Sequence, residues 1–100
     1  ILIVKSLEFN KSLQTLDLEF NSIGNKATIE IARLLSNNNT LKVLHLNNNN
    51  IDEYGLAEIA KMLAINTSLE KLYLAHNIIK IESVIEILNS LIANTTLHTL

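Results

Sequence analysis

The chain of 100 residues contains no cysteine and no proline, and only four of its residues are aromatic. Without cysteine it can form neither a disulfide framework nor a thiolate metal site, and without proline nothing interrupts a helix. A formal net charge of −2 gives no reason to expect a nucleic acid or an anionic membrane as partner. No apolar run approaches the roughly 18 residues of a membrane span. No signal peptide is recognisable, and we predict a cytoplasmic location.

What the chain does have is a sequence repeat with a 28-residue period. Each unit opens with Leu-x-x-Leu-x-Leu and continues with Asn at position 9 and Ile at position 11. Three full units span residues 13–40, 41–68 and 69–96, with parts of a unit at 1–12 and 97–100. Self-similarity at a fixed period predicts stacked units over 1–100 instead of one globular core. Because neither end carries a polar cap, we expect the segment to belong to a longer array.

Each unit changes its hydrophobic period from that of a strand to that of a helix. Leu16 and Leu18 alternate with polar residues, so that Asp17 and Glu19 should point away from the core. From about position 13 the apolar residues follow helical spacing, as in the series Leu56, Ile59, Ala60 and Leu63. Paired strands lie about 4.8 Å apart and packed helices about 8–10 Å apart. Stacking therefore predicts an α/β horseshoe with a concave parallel sheet and convex helices.

The run from Leu41 to Asn66 in the second unit resembles the ribonuclease-inhibitor type of leucine-rich repeat, and the other two units match almost as well. The resemblance implies a leucine-rich-repeat solenoid that serves as a scaffold for binding another protein. Relatives of this type include the sensor regions of NOD-like receptors and Ran GTPase-activating proteins, and membership of either class is an alternative for this chain. The family usually has glycine at position 15, and here Gly55 keeps it while Ala27 and Ser83 are small substitutes.

Two columns of asparagine recur with the repeat. The column Asn21, Asn49 and Asn77 follows the strand, where a buried amide can satisfy backbone groups left unpaired by a turn. Within the run 47–50 we assign this role to Asn49 alone and expect the others to face solvent. The second column comprises Asn10, Asn38, Asn66 and Asn94, each in an Asn-x-Ser/Thr triplet. Such triplets are also N-glycosylation acceptors, but their regular place after each helix favours asparagine in a left-handed helix cap.

Catalytic and metal-binding patterns are weak in this sequence. His45, His76 and His98 stand at positions 5, 8 and 2 of successive units, too dispersed for one metal. Asp17 and Glu19 have the spacing of a carboxylate pair, but an open sheet lacks the enclosed pocket that raises the pKa of a catalytic acid. We therefore expect no catalytic residue, no cofactor and no metal site, and we predict that the protein is not an enzyme.

The predicted concave face is the most informative surface for function. Its candidate partner-binding residues are Asp17, Glu19, Phe20, Lys42, His45, Asn47, Lys71, Tyr73 and His76. Phe20 and Tyr73 are aromatic residues on a polar sheet, and they either contact a partner or pack on their neighbours in the sheet. The predicted partner is another protein, with neither nucleic acid nor membrane involved.

Overall fold

Strands and helices alternate along the chain in the computed structural model, which describes residues 12–92 and 94–100. The elements are β1 (Thr15–Asp17), α1 (Gly24–Leu35), β2 (Val43–His45), α2 (Glu53–Ile65), β3 (Lys71–Tyr73) and α3 (Ile81–Ser90). The predicted alternation of strand and helix is confirmed for these elements. The part of a unit predicted at 1–12 lies, apart from its last residue, outside the described residues.

The three strands form one parallel sheet in the order β1-β2-β3. Leu16 pairs with Leu44, and Leu44 pairs with Leu72, so equivalent leucines lie side by side. Each strand has only three residues. Backbone pairing continues past the strand ends, because the Leu46 amide still donates to the Tyr73 carbonyl at 2.8 Å. A single bridge from Lys71 to Thr99 extends the sheet beyond β3.

The hydrophobic core lies between the sheet and the helices. Leu44 and Leu72 on the strands and Leu56 and Leu63 on α2 are fully buried in it. Helix α2 begins at Glu53, as the change of period predicted, and Asp52 caps it by accepting a hydrogen bond from the Tyr54 amide at 3.0 Å. Burial of these aliphatic side chains is the main stabilising contribution, because removing apolar surface from water is favourable.

Helices α1 and α2 approach each other closely at Gly55. A Cβ atom there would come within 2.7 Å of both the Asn25 side-chain oxygen and a methyl group of Ile51. The Asn25 oxygen also accepts hydrogen bonds from the backbone amides of Asp52 and Gly55. Glycine at this position therefore allows a polar contact between the two helices that a larger residue would push apart.

Asn49 and Asn77 of the first asparagine column have the structural role predicted for it, whereas Asn21 is exposed. The Asn49 side chain accepts from the amides of Asn21 and Ile23 and donates to the carbonyls of Leu18 and Asn47. Asn77 repeats the arrangement one step along the sheet by accepting from the amides of Asn49 and Ile51. The amides thus bond to the backbone of the preceding turn and not to one another.

The second asparagine column caps the helices in a different way from the one predicted. Asn66 has φ −66° and ψ 133°, and none of Asn38, Asn66 and Asn94 has a positive φ, so the left-handed conformation was wrong. The Asn66 side-chain oxygen instead accepts from the amides of Ser68 and Leu69, while its nitrogen donates to the carbonyls of Leu35 and Asn38. A side-chain turn of this kind needs no inverted backbone. Because its nitrogen is buried and bonded, Asn66 has a structural role; Asn10 lies outside the described residues.

Left-handed backbone occurs instead at the turn after each strand. Phe20, Asn48 and His76, which hold the same position in successive sequence repeats, have φ values of 61°, 59° and 58°. Asparagine tolerates this conformation well, whereas most other side chains are strained in it by roughly 1–2 kcal/mol. Asn48 and Asn50 (φ 57°) therefore contribute to the turn through their backbone, a role that the sequence analysis did not assign to them.

Candidate partner-binding face

One face of the sheet is turned away from the helices, and we call its residues the open sheet face. On the strands it consists of Thr15 and Asp17, Val43 and His45, and Lys71 and Tyr73, none of which is fully buried. The leucine between each pair points to the core because successive side chains on a strand alternate in direction. The nine candidate residues fall on this face or on the turns beside it.

Two candidate residues form an aromatic pair in the middle of the open sheet face. The rings of His45 and Tyr73 are stacked with their centroids 4.5 Å apart and an interplanar angle of 11°. The parallel register places both residues at the same level of neighbouring strands. Of the two interpretations of Tyr73, packing within the sheet is confirmed, and its half-buried ring still leaves part of the pair exposed.

The turn after β2 is fixed by Asn47, which was predicted to face solvent and to be a candidate partner-binding residue. Its side-chain oxygen accepts a hydrogen bond from the Ala75 amide at 2.7 Å. Its side-chain nitrogen donates to the carboxylate of Glu19 at 3.5 Å. Asn47 therefore connects the turns that follow all three strands, and it holds Glu19 at the border of the open sheet face.

Phe20 is the most exposed aromatic residue of the described chain, with 73% of its surface accessible. No described ring stacks on it, so packing inside the sheet does not account for its position. Its left-handed backbone (φ 61°) adds strain at the same residue. A strained backbone that carries an exposed aromatic side chain is a combination that stability alone does not favour.

The charged candidates lie at opposite ends of the strands. Asp17 and Glu19 are at the end of β1, while Lys42 precedes β2 and Lys71 begins β3. Within residues 12–92 and 94–100, neither Asp17 nor Glu19 forms an ion pair. His76 is exposed in the turn after β3 and lies apart from the stacked pair. The open sheet face therefore has an acidic corner and a basic side with aromatic residues between them.

Nothing in the described part of the chain has the arrangement of a metal site, since no group of three or more His, Cys, Asp or Glu residues converges. Every buried side-chain nitrogen and oxygen of the described residues has a hydrogen-bond partner. No described helix is both long and apolar enough to cross a membrane. The described residues therefore present surfaces that a partner could contact, and their side chains do not converge as metal ligands do.

Sequence reasoning missed an exposed apolar surface at the other end of the molecule. Helix α3 and the turn after it expose Ile81, Ile85, Leu88 and Ile92. The departure of the third unit from the usual polar turn was visible at Ile78 and Ile81. The signal that could have found the rest is the spacing of four aliphatic residues at intervals of four, three and four.

Comparison with known proteins agrees with this architecture. A family model described as "Leucine Rich repeat" matches residues 9–32 and 37–60. A solved structure of leiomodin-1 actin-binding site 2 superposes with a TM-score of 0.91 at 22% sequence identity, covering 96% of this chain and 57% of that one. A tropomodulin C-terminal domain from a Caenorhabditis elegans structural genomics project gives a TM-score of 0.86 at 14% identity, covering 96% and 61%. No curated protein sequence matches the chain.

The chain therefore contains leucine-rich repeats, and its parallel strands and helices have an α/β fold that is similar to these structures. The two similar structures share its fold at identities that carry no more than the fold. The chain spans about three fifths of their length.

Proposed function

We propose that the chain is a non-enzymatic scaffold in the cytoplasm that binds another protein across its open sheet face. In this proposal the sheet is the concave side of a horseshoe with a 28-residue period, with units at 13–40, 41–68 and 69–96. That division is supported by the strand register, because the paired residues hold equivalent positions of successive units in both strand pairs. We prefer this function to that of a GTPase activator or a receptor sensor, because it requires only the side chains already described.

The observation that carries the proposal is the aromatic surface on the open sheet face. The His45–Tyr73 stack is a firm, partly exposed platform, and Phe20 stands exposed at the corner beside Glu19. Aromatic side chains contribute much of the binding energy at protein interfaces because they bury a large area with few rotatable bonds. Asp17 and Glu19 would orient the partner by attracting its basic side chains, an effect on association rate more than on affinity.

Similarity to other proteins adds a first candidate partner. The leiomodin-1 structure is described as an actin-binding site, and leucine-rich-repeat arrays present extended surfaces to protein partners. Actin is therefore the first protein to assay. The identity of 22% supports a shared fold, and the side chains of this chain have to supply the specificity.

A photo-crosslinking experiment tests the proposal without assuming the partner. Benzoylphenylalanine is placed at Phe20 in the natural protein and, as a matched control, at Tyr54, which is 68% exposed on the helical side. We expect a partner to crosslink from position 20 and not from position 54. Equal capture from both positions, or capture from position 54 alone, would assign binding to a different face.

The affinity for the captured partner, and for purified actin, is then measured with three variants. Phe20→Asn suits the left-handed backbone and removes the ring, so we expect about 30-fold weaker binding, the loss of one interface hot spot. Tyr73→Ala should weaken binding by a smaller factor because its ring is partly used in the stack. Tyr54→Ala should bind like the wild type, and unchanged affinity in the Phe20 variant would contradict the proposal.

A further inference from the structure

A row of three side chains crosses the open sheet face at one level of the strands. The parallel register aligns Asp17 of β1 with His45 of β2, and His45 with Tyr73 of β3. Neighbouring strands lie about 4.8 Å apart, and the rings of His45 and Tyr73 stack with their centroids 4.5 Å apart. Rings that stack across this spacing stand upright on the sheet. One face of the His45 ring is therefore covered by Tyr73, and its opposite face is turned toward β1.

The space in front of this second ring face is bordered by Asp17. No other described ring stacks on His45, and Asp17 is exposed and forms no ion pair with the described residues. The aspartate side chain is shorter than that of histidine, so its carboxylate ends nearer to the sheet than the far edge of the ring does. The two side chains form a step, which we call the β1–β2 niche, with the Asp17 carboxylate as its floor and the His45 ring as its wall.

Hydrogen bonds hold two carboxylates at the niche. Oδ1 of Asp17 accepts from the Glu19 amide at 3.0 Å, and Oε1 of Glu19 accepts from the Asn47 side chain at 3.5 Å. The Phe20 amide donates to the Asn47 carbonyl at 3.1 Å, so Glu19 and Asn47 remain neighbours beyond the strand ends. Each carboxylate therefore has a defined place beside the ring of His45, with a second oxygen that is available to a ligand.

A guanidinium group fits this arrangement better than the other cationic side chain does. It is planar, so that it stacks on an aromatic ring, and its N–H groups form a fork that bonds a carboxylate in its own plane. Stacked on His45 in an upright position, it would direct one edge of that fork at the Asp17 carboxylate. The ammonium group of lysine has the charge without the flat face. Arginine can therefore use the wall and the floor of the niche together.

The described residues do not supply this cation themselves. Lys42 and Lys71 lie toward the opposite ends of the strands from Asp17, and neither forms an ion pair with it. Among residues 1–100 arginine occurs only at position 33. Arg33 is exposed in the last turn of α1, on the helical side. The complementary charge must therefore come from another segment or another molecule.

We propose that the β1–β2 niche binds an arginine side chain of the partner protein, which stacks on His45 and bonds to Asp17 and Glu19. This proposal rests on the function proposed above and specifies one contact within it. Attraction by exposed carboxylates acts mainly on the association rate. Stacking and paired hydrogen bonds require a fixed geometry, so they contribute to affinity and discriminate arginine from lysine.

Blocked tripeptides with a central arginine, lysine or citrulline between glycines test the niche in the natural protein. Citrulline has nearly the shape of arginine and no charge. We follow the ring signals of His45 and Tyr73 by NMR at physiological ionic strength. The arginine peptide should bind with a dissociation constant of about a millimolar, the lysine peptide about threefold more weakly and the citrulline peptide about tenfold more weakly. Equal affinities for arginine and citrulline, or arginine binding that leaves the His45 signals unchanged, would overturn the proposal.

Variants of the protein identify the carboxylate and the ring. Asp17→Asn retains an oxygen for the Glu19 amide and should weaken the arginine peptide about three- to fivefold. The matched control Glu70→Gln removes the same charge elsewhere, where Glu70 pairs with His98 at 3.6 Å, and should weaken it less than about 1.5-fold. His45→Leu should abolish the preference for arginine over lysine, with Tyr73 as the reporter and circular dichroism as the check on folding. Equal effects of Asp17→Asn and Glu70→Gln would contradict the proposal.

The partner captured by crosslinking separates this proposal from the function on which it rests. Capture from position 20 with a several-fold loss of affinity in Asp17→Asn would support both. Capture from position 20 with unchanged affinity in Asp17→Asn would retain the open sheet face as the binding site and reject the arginine contact. Capture from position 54 alone would reject both. Self-association of the protein that Arg33→Gln abolishes would assign the niche to a second copy and overturn the proposal.

Discussion

Helices α2 and α3 each follow a strand of the same sheet, and yet they bury very different parts of themselves. Helix α2 has six buried residues, including Leu56, Ile59 and Leu63. Helix α3 has two, Ser83 and Ile87, although five of its ten residues are isoleucine, leucine or valine. The difference lies in the neighbours, because α2 packs between α1 and α3 and the described residues place no helix on the far side of α3.

The comparison shows that an apolar residue in this fold is buried by its neighbours and not by its own hydrophobicity. Ile51 is fully enclosed, while Ile79, at the equivalent place in the sequence, is exposed. Each strand and helix contributes half of two interfaces, so stability is shared between adjacent elements, as expected for a stacked array. The same apolar substitution should then have different consequences at α2 and at α3, which can be measured.

The largest contrast is expected from one substitution made in both helices. Leu56→Ala leaves a cavity in a fully buried part of the core and should lower the free energy of unfolding by about 2–5 kcal/mol. Leu88→Ala, at an exposed leucine, should lower it by less than about 1 kcal/mol. Urea unfolding monitored by circular dichroism measures both, and equal losses would show that α3 is covered as completely as α2.

A second comparison is between two asparagines of the first column, Asn49 after β2 and Asn21 after β1. Asn49→Ala removes the partners of two backbone amides and the Leu18 carbonyl, and it should cost about 2–3 kcal/mol because the buried groups are left unsatisfied. Asn21→Ala, at an exposed residue whose side chain donates to the Glu19 carbonyl, should cost under about 1 kcal/mol. Thermal unfolding of the two variants gives the order, and a larger loss at Asn21 would contradict the structural assignment.

A substitution at Ala60 tests whether the contact between α2 and α3 requires a small side chain. Ala60→Leu introduces the side chain that α3 has at the same place and should destabilise the chain by about 1–3 kcal/mol through overpacking. Ala64→Leu is the control, since Ala64 is exposed on the same helix and should change stability by less than about 0.5 kcal/mol. If both variants unfold like the wild type in urea, the α2–α3 interface can accommodate leucine, and a small residue is not required there.

The smallest effect concerns the left-handed residue after each strand. Phe20→Asn should raise the free energy of unfolding by about 0.5–1 kcal/mol, because asparagine is less strained than phenylalanine at φ 61°. Asn48→Phe, at φ 59°, should lower it by a similar amount. Calorimetric melting of both variants decides the matter, and a loss of stability in Phe20→Asn would mean that the ring packs more than its exposure indicates.

Much of the fold could be predicted from the spacing of residues. The leucines at 16, 44 and 72 lie side by side as their period required, and α2 begins where the hydrophobic period changes. Asn49 was assigned its hydrogen bonds because a buried amide at a turn needs both donors and acceptors. The stack of His45 on Tyr73 could also have been predicted, since both residues hold position 5 of adjacent units.

Other features depend on backbone detail that residue type does not define. The cap residue Asn66 was expected to be left-handed, but its side chain makes the turn in an extended backbone. Left-handed residues occur instead in the turns after the strands, where one position is held by Phe20, Asn48 and His76, three residue types with no common preference. The candidate residues of the open sheet face remain predictions as a binding site, because exposure and charge describe a surface and only a partner defines an interface.

The sequence by itself determined the alternation of strand and helix, the leucine columns and the buried amide of Asn49. The first two follow from the spacing of apolar residues, and the third follows from the hydrogen-bond donors and acceptor of one side chain. Only the tertiary structure decided which apolar residues of the described chain remain exposed, and that the Phe20 ring is among them. These depend on which surfaces adjacent elements remove from water, and that is a property of the assembled stack.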